Sequence, residues 1–465
     1  MKNDYLTEKK PLSALIIFAL PMIIGNLFQQ TYTMADSAIV GRLVGEDALA
    51  AVGASYALTN IFICIAVGGG VGASVIVSRY FGAKEYNRMK LAVSTAFLSF
   101  LAVSVLLAAF GLLFSRQIML ALHTPQEVLD MAAQYLSIYF LGLPFLFMYN
   151  VISSMFNALG KSKVPLCFLV FSSLFNIALD LVLVRQLHMG VAGVAWATLI
   201  AQGISALLSF GVFLYVLKKL DCGKTRAFDK KELADMTKIA LPSILQQSII
   251  SIGMMLVQSV VNGFGPQALA GFSAGIRVES MCVVPMAAIG NAMSSYTAQN
   301  MGAKKEDRIV IGYHAANKMV IFCAIVICLA LELFHGQMIA FFLGSQGTET
   351  AIATGNDYLV FMGWFFCLIG FKMAVDGLLR GAGDMKMFTV ANLANLFFRV
   401  AASMSLAPVF GIRMVWVTVP VGWFINWAIS YARYRTGKWR PEAISAASQT
   451  DPRTACPDSH DRHTG

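Results

Sequence analysis

Long apolar runs dominate this chain and restrict what it can fold into. Stretches of about 20 apolar residues, the length that crosses a bilayer, alternate with short segments that carry Lys and Arg. Only 13% of the 465 residues are charged, whereas a soluble domain holds about 25%. Because lipid leaves only helices and closed barrels as spanning structures, the pattern predicts an all-α polytopic membrane protein. It excludes an ordinary soluble enzyme.

We count twelve spans, and the basic residues between them predict their orientation. The spans begin near Leu12, Ala48, Leu91, Val128, Val164, Val191, Met236, Ala268, Ala315, Ala351, Met387 and Met414. With a cytoplasmic N-terminus, the inner segments hold 26 Lys and Arg and the outer segments hold 4. Lys and Arg concentrate in cytoplasmic loops. We therefore expect a multi-pass protein of the plasma membrane, the cytoplasmic membrane of a bacterium, with both termini inside.

The two halves of the sequence repeat each other. Ala19-Leu20-Pro21 recurs as Ala240-Leu241-Pro242, and Gly82-Ala83-Lys84 recurs as Gly302-Ala303-Lys304, at offsets of 221 and 220. Such duplication predicts two six-helix lobes related by a pseudo-two-fold axis along the membrane normal, with a cavity between them. The predicted parts are an N-terminal lobe (1–217), a cytoplasmic linker (218–237), a C-terminal lobe (238–440) and a disordered tail (441–465).

Composition excludes several other roles. The net charge of +10 comes from basic residues at span ends, so no nucleic-acid partner is indicated. The eight cysteines contain no Cys-x-x-Cys pair and are typical of small core residues. We expect no cofactor, no catalytic residues, membrane lipid as the surrounding partner, and a monomer.

Ionisable residues inside the spans are candidates for function because each costs at least about 2.5 kcal/mol to insert. Asp36 and Asp180 lie toward the outer, C-terminal ends of the first and fifth helices, where the helix dipole disfavours an anion. The repeat places Val257 and Ser403 at their equivalent positions. The carboxylates therefore serve the N-terminal lobe specifically.

Neutral oxygen and amide groups accompany these two acids. Asn176 lies one turn before Asp180, Thr198 offers a hydroxyl in the sixth span, and Gln29 and Tyr32 precede Asp36 on one face of the first helix. Such a set suits Na⁺ or a shared proton. Pro21, on the helix of Asp36, removes one backbone hydrogen bond and is either a static kink or a moving hinge.

The C-terminal half has its own intramembrane charges. Lys372 and Asp376 are spaced for an i,i+4 salt bridge, the interpretation we favour. Arg277 and Glu279 are two residues apart, so each needs another partner. Arg399 has three alternatives: it neutralises Glu279, neutralises Asp376, or contacts a substrate.

With these spans, repeats and intramembrane residues, the sequence resembles the multidrug and toxic compound extrusion (MATE) family over about residues 10–435. The resemblance rests on four segments: 28–42, which contains Phe28-Gln29-Gln30-Thr31-Tyr32 and Asp36; Phe81-Gly82-Ala83-Lys84 with its repeat; Asn176 with Asp180; and 379–386, Leu-Arg-Gly-Ala-Gly-Asp-Met-Lys. The family implies two rocking lobes that export bulky organic cations in exchange for Na⁺ or H⁺. By position, Asp36, Asn176, Asp180 and Thr198 resemble its N-lobe cation site, with Gln29, Tyr139 and Asn150 nearby.

The sequence departs from one branch of that family. Members similar to NorM carry acidic residues where this chain has Ile250 and Ile369, so the sequence resembles the DinF-like branch instead. Two other functions remain as alternatives. One is a lipid-linked oligosaccharide flippase, which would line its cavity with Arg and Lys. The other is an intramembrane aspartyl protease, suggested by Gly381-Ala382-Gly383-Asp384.

Overall fold

A computed structural model describes residues 4–122, 124–220, 226–344 and 347–440, and these residues form helices joined by short turns. The helices are α1 Tyr5–Glu8, α2 Pro11–Leu43, α3 Glu46–Gly82, α4 Tyr86–Ala121, α5 Gln126–Ala158, α6 Lys163–Asp180, α7 Gly190–Lys218, α8 Lys230–Asn262, α9 Pro266–Gly302, α10 Glu306–Leu343, α11 Glu349–Gly363, α12 Phe366–Ala382, α13 Met385–Phe410 and α14 Arg413–Arg435. The all-α fold predicted from the apolar runs is confirmed.

The twelve predicted spans correspond to α2–α14, with α11 and α12 as one span. In the described part of the chain, ten helices are individually long and apolar enough to cross a membrane, and α11 and α12, bent by 55°, meet the same test as a pair. The twelfth predicted span, near Met414, corresponds to α14, a 23-residue helix that does not meet this test. Its aromatic side chains, including Trp416 and Trp423, and the buried Asn426 make it less hydropathic than the others.

The duplication is visible in the backbone as well as in the sequence. Gly45 and Gly265 precede α3 and α9 with φ angles of 114° and 94°, and Lys84 and Lys304 follow these helices with φ angles of 61° and 55°. A non-glycine residue at positive φ is uncommon. Lys84 and Lys304 are separated by the repeat offset of 220 residues, so their positive φ angles indicate that the backbone follows the same local path in both halves. This agreement supports the predicted pair of lobes.

The helix that opens the second half begins earlier than we predicted. Asp229 caps α8, and its Oδ1 accepts hydrogen bonds from the backbone N–H groups of Lys231 at 2.7 Å and Glu232 at 3.1 Å. Residues 230–237, which were predicted to belong to the linker, therefore form the first two turns of α8. The predicted tail, 441–465, lies outside the described residues.

The leading helix of each half bridges the two halves. Helix α2 packs against α6 of its own half and against α9 and α10 of the other, while α8 packs against α13 and against α3. Leu15 and Phe18, both almost fully buried in α2, belong to the hydrophobic core of the second half. The first half of α2 is thus anchored in one lobe, and its second half runs along the other.

Helices α3 and α9 cross closely at the end of the bundle that carries α1, which we call the α1 face. A Cβ added at Gly82 would lie 2.0 Å from the Gln299 carbonyl oxygen, and a Cβ added at Gly302 would lie 1.9 Å from the Arg79 carbonyl oxygen. Glycine is therefore required on both sides.

Repeat-related side chains lock this crossing. The Arg79 Nη2 donates to the Ala382 carbonyl at 3.2 Å, and the Gln299 Nε2 donates to the Ala158 carbonyl at 2.7 Å. Each hydrogen bond joins a side chain of one half to a backbone carbonyl at the end of a helix in the other half. The lobes are consequently in contact, and the bundle is closed, at the α1 face.

The short helix α1 reinforces this closure by binding both halves. The Tyr5 hydroxyl donates to the Gly160 carbonyl at 2.7 Å in the first half. From the second half, Asn300 donates to the Leu6 carbonyl at 3.2 Å and Arg308 donates to the Lys9 carbonyl at 2.6 Å. Residues 5–9 therefore tie the lobes together.

Candidate functional site

Two carboxyl groups meet in the N-terminal half, where the second part of α2 runs beside α6. Asp36 of α2 and Asp180 of α6 lie close enough for their carboxyl groups to interact directly. Asp180 is completely buried. The Oδ1 atom of each carboxyl group is buried without a hydrogen-bond partner. The two spans thus place two acidic groups together in the membrane interior and leave one oxygen of each unsatisfied, which is costly unless something binds there.

Asn176 connects this pair to Tyr32 on the helix of Asp36 and to one further helix, α7. In the amide orientation that satisfies its neighbours, its nitrogen lies 2.6 Å from the Tyr32 hydroxyl and donates to Asp180 Oδ2 at 3.1 Å. Its oxygen then accepts from the Thr198 backbone N–H at 3.0 Å. Asn176 is buried and lies one turn before Asp180. The predicted set of Asp36, Asn176, Asp180 and Thr198 therefore forms one contiguous group of oxygen and amide atoms.

The end of α6 has an unusual local structure beside Asp180. A π-helical turn spans Leu181–Gln186 and follows Asp180 directly. Single π turns inside helices occur frequently at functional sites, since the extra residue redirects the side chains around it. This turn ends the regular helix at the residue that carries the buried carboxyl group.

A small cavity lies beside this group of residues. Its volume is about 60 Å³, and its walls include Gln29, Tyr32, Tyr149, Ser172, Ser173, Asn176, Thr198 and Gln202. A cavity needs about 10–15 Å³ to hold one water molecule, so this one has room for a few waters or for a small ion with part of its hydration shell. It is too small for a bulky organic cation.

Not all of the predicted neighbours of the site lie in this cavity. Gln29 and Tyr32 line it. Tyr139 lines a smaller void next to it, and its hydroxyl donates to the Thr59 carbonyl at 3.3 Å. Asn150 is in neither lining; its amide donates to the Leu146 carbonyl of its own helix at 2.8 Å. Of the three residues inferred only from the resemblance, Gln29 and Tyr139 therefore line these two cavities, and Asn150 does not.

The structure adds residues that sequence reasoning missed. Tyr135 of α5 lies near both Asp36 and Asp180, and Gln202 lines both cavities. Each is one helical turn from a residue that was predicted, Tyr139 and Thr198 respectively. An i,i+4 search from the predicted residues would have found both.

The charges of the second half are arranged differently. Lys372 and Asp376 form the predicted i,i+4 ion pair, with Nζ 3.5 Å from Oδ2, and both side chains are buried. Asn392 completes the pair: it accepts from Lys372 at 3.2 Å and donates to Asp376 at 3.3 Å. The Ser430 hydroxyl donates to Asp376 Oδ1 at 2.8 Å. This network is internally satisfied, so we assign it a structural role.

Arg277 and Glu279 point in different directions, as their spacing predicts. Arg277 is exposed, and Glu279 is buried and accepts a hydrogen bond from the Tyr358 hydroxyl. Within the described part of the chain, the ion pairs closer than 4.0 Å include neither Arg399 nor Glu279, so the three alternatives for Arg399 stay open. Arg399 belongs to the second half and takes no part in the cavity beside Asp180.

The segment that resembles an aspartyl protease motif has another role. Asp384 precedes α13, and its Oδ2 accepts from the Arg433 Nε at 2.5 Å. It is therefore held in an ion pair at the end of a helix. Among the described residues, no acidic side chain is hydrogen-bonded to Asp384 to form a catalytic dyad.

Known proteins resemble this chain over nearly its whole length. The MatE family model matches residues 21–182 and 242–404, one segment in each half. A probable multidrug resistance protein, YpnP of Bacillus subtilis strain 168, is 29% identical over 442 residues, covering 95% of this chain and 98% of YpnP. The multidrug export protein MepA of Staphylococcus haemolyticus is 23% identical over 432 residues, covering 90% and 92% of the two chains.

Solved structures share the fold. A multidrug resistance MATE family transporter of the MOP superfamily, in an outward-facing conformation, matches with a TM-score of 0.87 at 23% identity. The match covers 95% of this chain and 99% of that one. At this level of identity the likeness establishes the architecture of two six-helix lobes.

Proposed function

Because the chain belongs to the MatE family, whose members are transporters and not enzymes, we propose that it is a secondary active antiporter. It exports organic cations or drugs in exchange for Na⁺ or H⁺ by alternating access. The observation that carries this proposal is the pair of Asp36 and Asp180, each with a buried, unpartnered oxygen, beside a cavity of about 60 Å³.

The chemistry of the pair favours a small, reversible cation. Two adjacent carboxylates in a medium of low dielectric repel each other, and a single positive charge between them removes the repulsion. A proton can be shared between the two carboxyl groups. Na⁺ would find oxygen ligands in Asp36 and Asp180, which are the hard donor type that it prefers, while Asn176 holds Asp180 in place through its amide nitrogen.

The organic cation binds at a separate place. The small cavity excludes it by volume, so we place it in the cleft between the lobes. Exchange then requires only that the coupling ion and the drug favour different conformations of the N-terminal lobe by a few kcal/mol. Competition for the same atoms is not needed.

Helix α2 provides the connection between the ion and the lobes. Asp36 lies on its second half, whereas Leu15 and Phe18 anchor its first half in the core of the other lobe. Pro21 lies between these two parts and removes one hydrogen bond from the helix. We propose that Pro21 is the hinge at which α2 changes shape when a cation joins Asp36 to Asp180.

The distribution of basic residues supports the orientation of the transporter. We propose that the α1 face is cytoplasmic, with both termini on that side of the plasma membrane, because the segments at this face hold most Lys and Arg. The conformation described here is closed on the cytoplasmic side. A monomer with lobes at the predicted boundaries is sufficient for this mechanism.

The flippase alternative receives no support from the site. A lipid-linked pyrophosphate would require a cluster of Arg and Lys where it binds, and the small cavity beside Asn176, which cannot hold so bulky a molecule, has a neutral described lining. The charged groups beside Asn176 are the acids Asp36 and Asp180. Such a site attracts cations.

The proposal is tested by removing each carboxylate separately. Cells that carry Asp36→Asn or Asp180→Asn are expected to lose most export of a fluorescent organic cation. Asp130→Asn is the matched control, because the Asp130 side chain in the same half is 86% exposed and pairs only with the exposed Arg116. Wild-type export by both site variants would refute the proposal.

The coupling ion is identified with the purified protein in vesicles. Na⁺ and pH gradients are imposed one at a time, and drug uptake is followed in each case. The gradient that drives accumulation identifies the ion, and it should lose its effect in Asp180→Asn. Accumulation with neither gradient would exclude antiport.

A further inference from the structure

Residues 4–9, which contain α1, are held firmly by the second half. Leu6 is completely buried and belongs to the hydrophobic core of that half. Three side chains of the second half also donate hydrogen bonds to backbone carbonyls of this segment. Two of these donors are cations, and hydrogen bonds from charged donors are stronger than those between neutral groups. The bonds run from Asn300 to Leu6 at 3.2 Å, from Lys305 to Thr7 at 3.0 Å, and from Arg308 to Leu6 at 3.4 Å and to Lys9 at 2.6 Å.

The first half holds the same segment by fewer polar contacts. Among the described residues, the Tyr5 hydroxyl donates to the Gly160 carbonyl at 2.7 Å, and Asp4 Oδ2 lies 4.0 Å from Lys84 Nζ. The Lys84 side chain is 67% exposed, and exposed ion pairs contribute little to stability. The hydrogen bond between Tyr5 and Gly160 is therefore the main polar link from α1 to the first half.

The backbone at Gly160 is suited to receive Tyr5. Gly160 lies in the turn between α5 and α6 with a φ angle of 72°, a conformation that glycine adopts readily. A Cβ added there would lie 3.4 Å from Tyr5 Cε1, so the Tyr5 ring rests against the backbone of this turn. The bare Cα and the carbonyl of Gly160 together form the surface that binds Tyr5.

The internal repeat shows which of these contacts is special to α1. Asn300 corresponds to Tyr80 at the offset of 220, and the Tyr80 hydroxyl donates to Glu232 Oε1 in the first turn of α8 at 2.8 Å. Each half thus binds the segment that leads into the first long helix of the other half. Tyr5 corresponds to Arg226 at the offset of 221, so the duplication does not supply its hydroxyl twice.

The lobes cannot separate at the α1 face while α1 is bound to both. Leu15 and Phe18 of α2 lie in the same core as Leu6, so α1 and the start of α2 form one unit with the second half. When the lobes move apart, the contact with fewer bonds is expected to break. That contact is the one between Tyr5 and Gly160.

We propose that α1 is a strap carried by the second half, and that Tyr5 is its catch on the first half. While the Tyr5 hydroxyl binds Gly160, the cleft stays closed at the α1 face. Release of this bond, with α1 still on the second half, precedes opening of the cleft to the cytoplasm. The inference rests on the alternating access proposed above, and not on the roles of Asp36 and Asp180.

Tyr5→Phe tests the catch by removing a single oxygen atom. Ser78 reports on opening, because it is completely buried beside the crossing of α3 and α9, and its hydroxyl donates to the Ala158 carbonyl at 3.4 Å. In full-length protein whose eight native cysteines are replaced by alanine, Ser78→Cys supplies one thiol, and its alkylation by a maleimide is followed in nanodiscs. Alkylation should be about fivefold faster with Tyr5→Phe, which is the effect of one hydrogen bond on the open fraction.

Tyr434→Phe is the matched control. The Tyr434 ring packs against Tyr313 and Trp439, all within the second half, so this variant should leave the alkylation rate unchanged. The proposal is wrong if the Ser78→Cys thiol reacts equally fast with Tyr5→Phe and with Tyr434→Phe, or stays unreactive in both. The assay contains no drug and no ion gradient, so its result stands even if the protein exports no organic cation.

Cross-links show from which half α1 is released. In the same cysteine-free protein, a short bis-maleimide joins α1 to the first half in Asp4→Cys, Lys84→Cys and to the second half in Lys9→Cys, Arg308→Cys. The first link should slow hydrogen–deuterium exchange of residues 156–163 and stop export of a fluorescent cation, whereas the second should leave both as in the untreated protein. If the second link slows exchange as the first does, α1 must leave the second half. If neither link slows it, α1 is not a strap, and either result overturns the proposal.

Discussion

The crossing of α3 and α9 allows a quantitative test of how the α1 face is kept closed. In Gly302→Ala, the new Cβ would lie 1.9 Å from the Arg79 carbonyl oxygen, whereas ordinary contact begins near 3.4 Å. The two helices must therefore move apart by about 1.5 Å. The atoms that clash belong to the backbone, so no side-chain rotation relieves the contact.

The energetic consequence follows from this displacement. Overpacking of a tight interface costs about 1–3 kcal/mol, and about 1.4 kcal/mol corresponds to a factor of ten. The ratio of closed to open molecules at the α1 face should therefore fall roughly 5- to 150-fold. Alanine is a better helix former than glycine by about 1 kcal/mol, so destabilisation must come from the contact and not from the helix itself.

Hydrogen–deuterium exchange of the protein in nanodiscs measures this effect without a label. Peptides that cover 4–10 and 156–163 should exchange faster in Gly302→Ala, since α1 and the Ala158 carbonyl lose partners when the lobes separate. Gly336→Ala is the control, because an added Cβ there meets nothing within 4 Å. If both variants exchange like the wild type at these peptides, the crossing does not hold the face closed.

Two smaller predictions concern the polar groups of each half. Lys372→Met leaves the buried Asp376 without its counter-charge and should lower the stability by about 3–5 kcal/mol, which is measured as a lower thermal unfolding temperature in detergent. The double variant Lys372→Met, Asp376→Leu should recover much of this stability. If it recovers none, the ion pair does not have a structural role. Tyr32→Phe removes the hydroxyl next to Asn176 and should weaken cation binding about fivefold, for a bond worth about 1 kcal/mol. Tyr56→Phe, at a residue 66% exposed, should have no effect, and equal affinities in the two variants would exclude Tyr32 from the site.

The sequence predicted the helices well because the apolar run that makes a membrane span consists of consecutive residues. The runs that begin near Leu12 and Val164 became α2 and α6 within one residue. The start of the second half was misplaced, since the charges between Lys230 and Lys238 are typical of a loop. The N-cap at Asp229 makes the same segment helical. Capping is a local signal that composition alone does not reveal.

The candidate site was partly predictable for a related reason. Asp36 and Asp180 stand out because a charge in lipid is costly wherever it lies. Tyr135 is neutral, so the cost of a buried charge does not mark it, although it lies one helical turn from the predicted Tyr139. Sequence spacing does not determine how helices rotate against each other, so it could not show which intramembrane groups of different helices meet.

The two-lobe anchoring of α2 has a consequence for how the molecule is made. Among the long helices described here, this one is synthesised before the others, yet Leu15 and Phe18 pack in a core formed with α9 and α10, which begin more than 200 residues later. Lipid tails solvate these side chains as well as protein does, so little free energy is lost while they still face lipid. The first half of α2 therefore reaches its native packing only after the helices of the second half have entered the membrane.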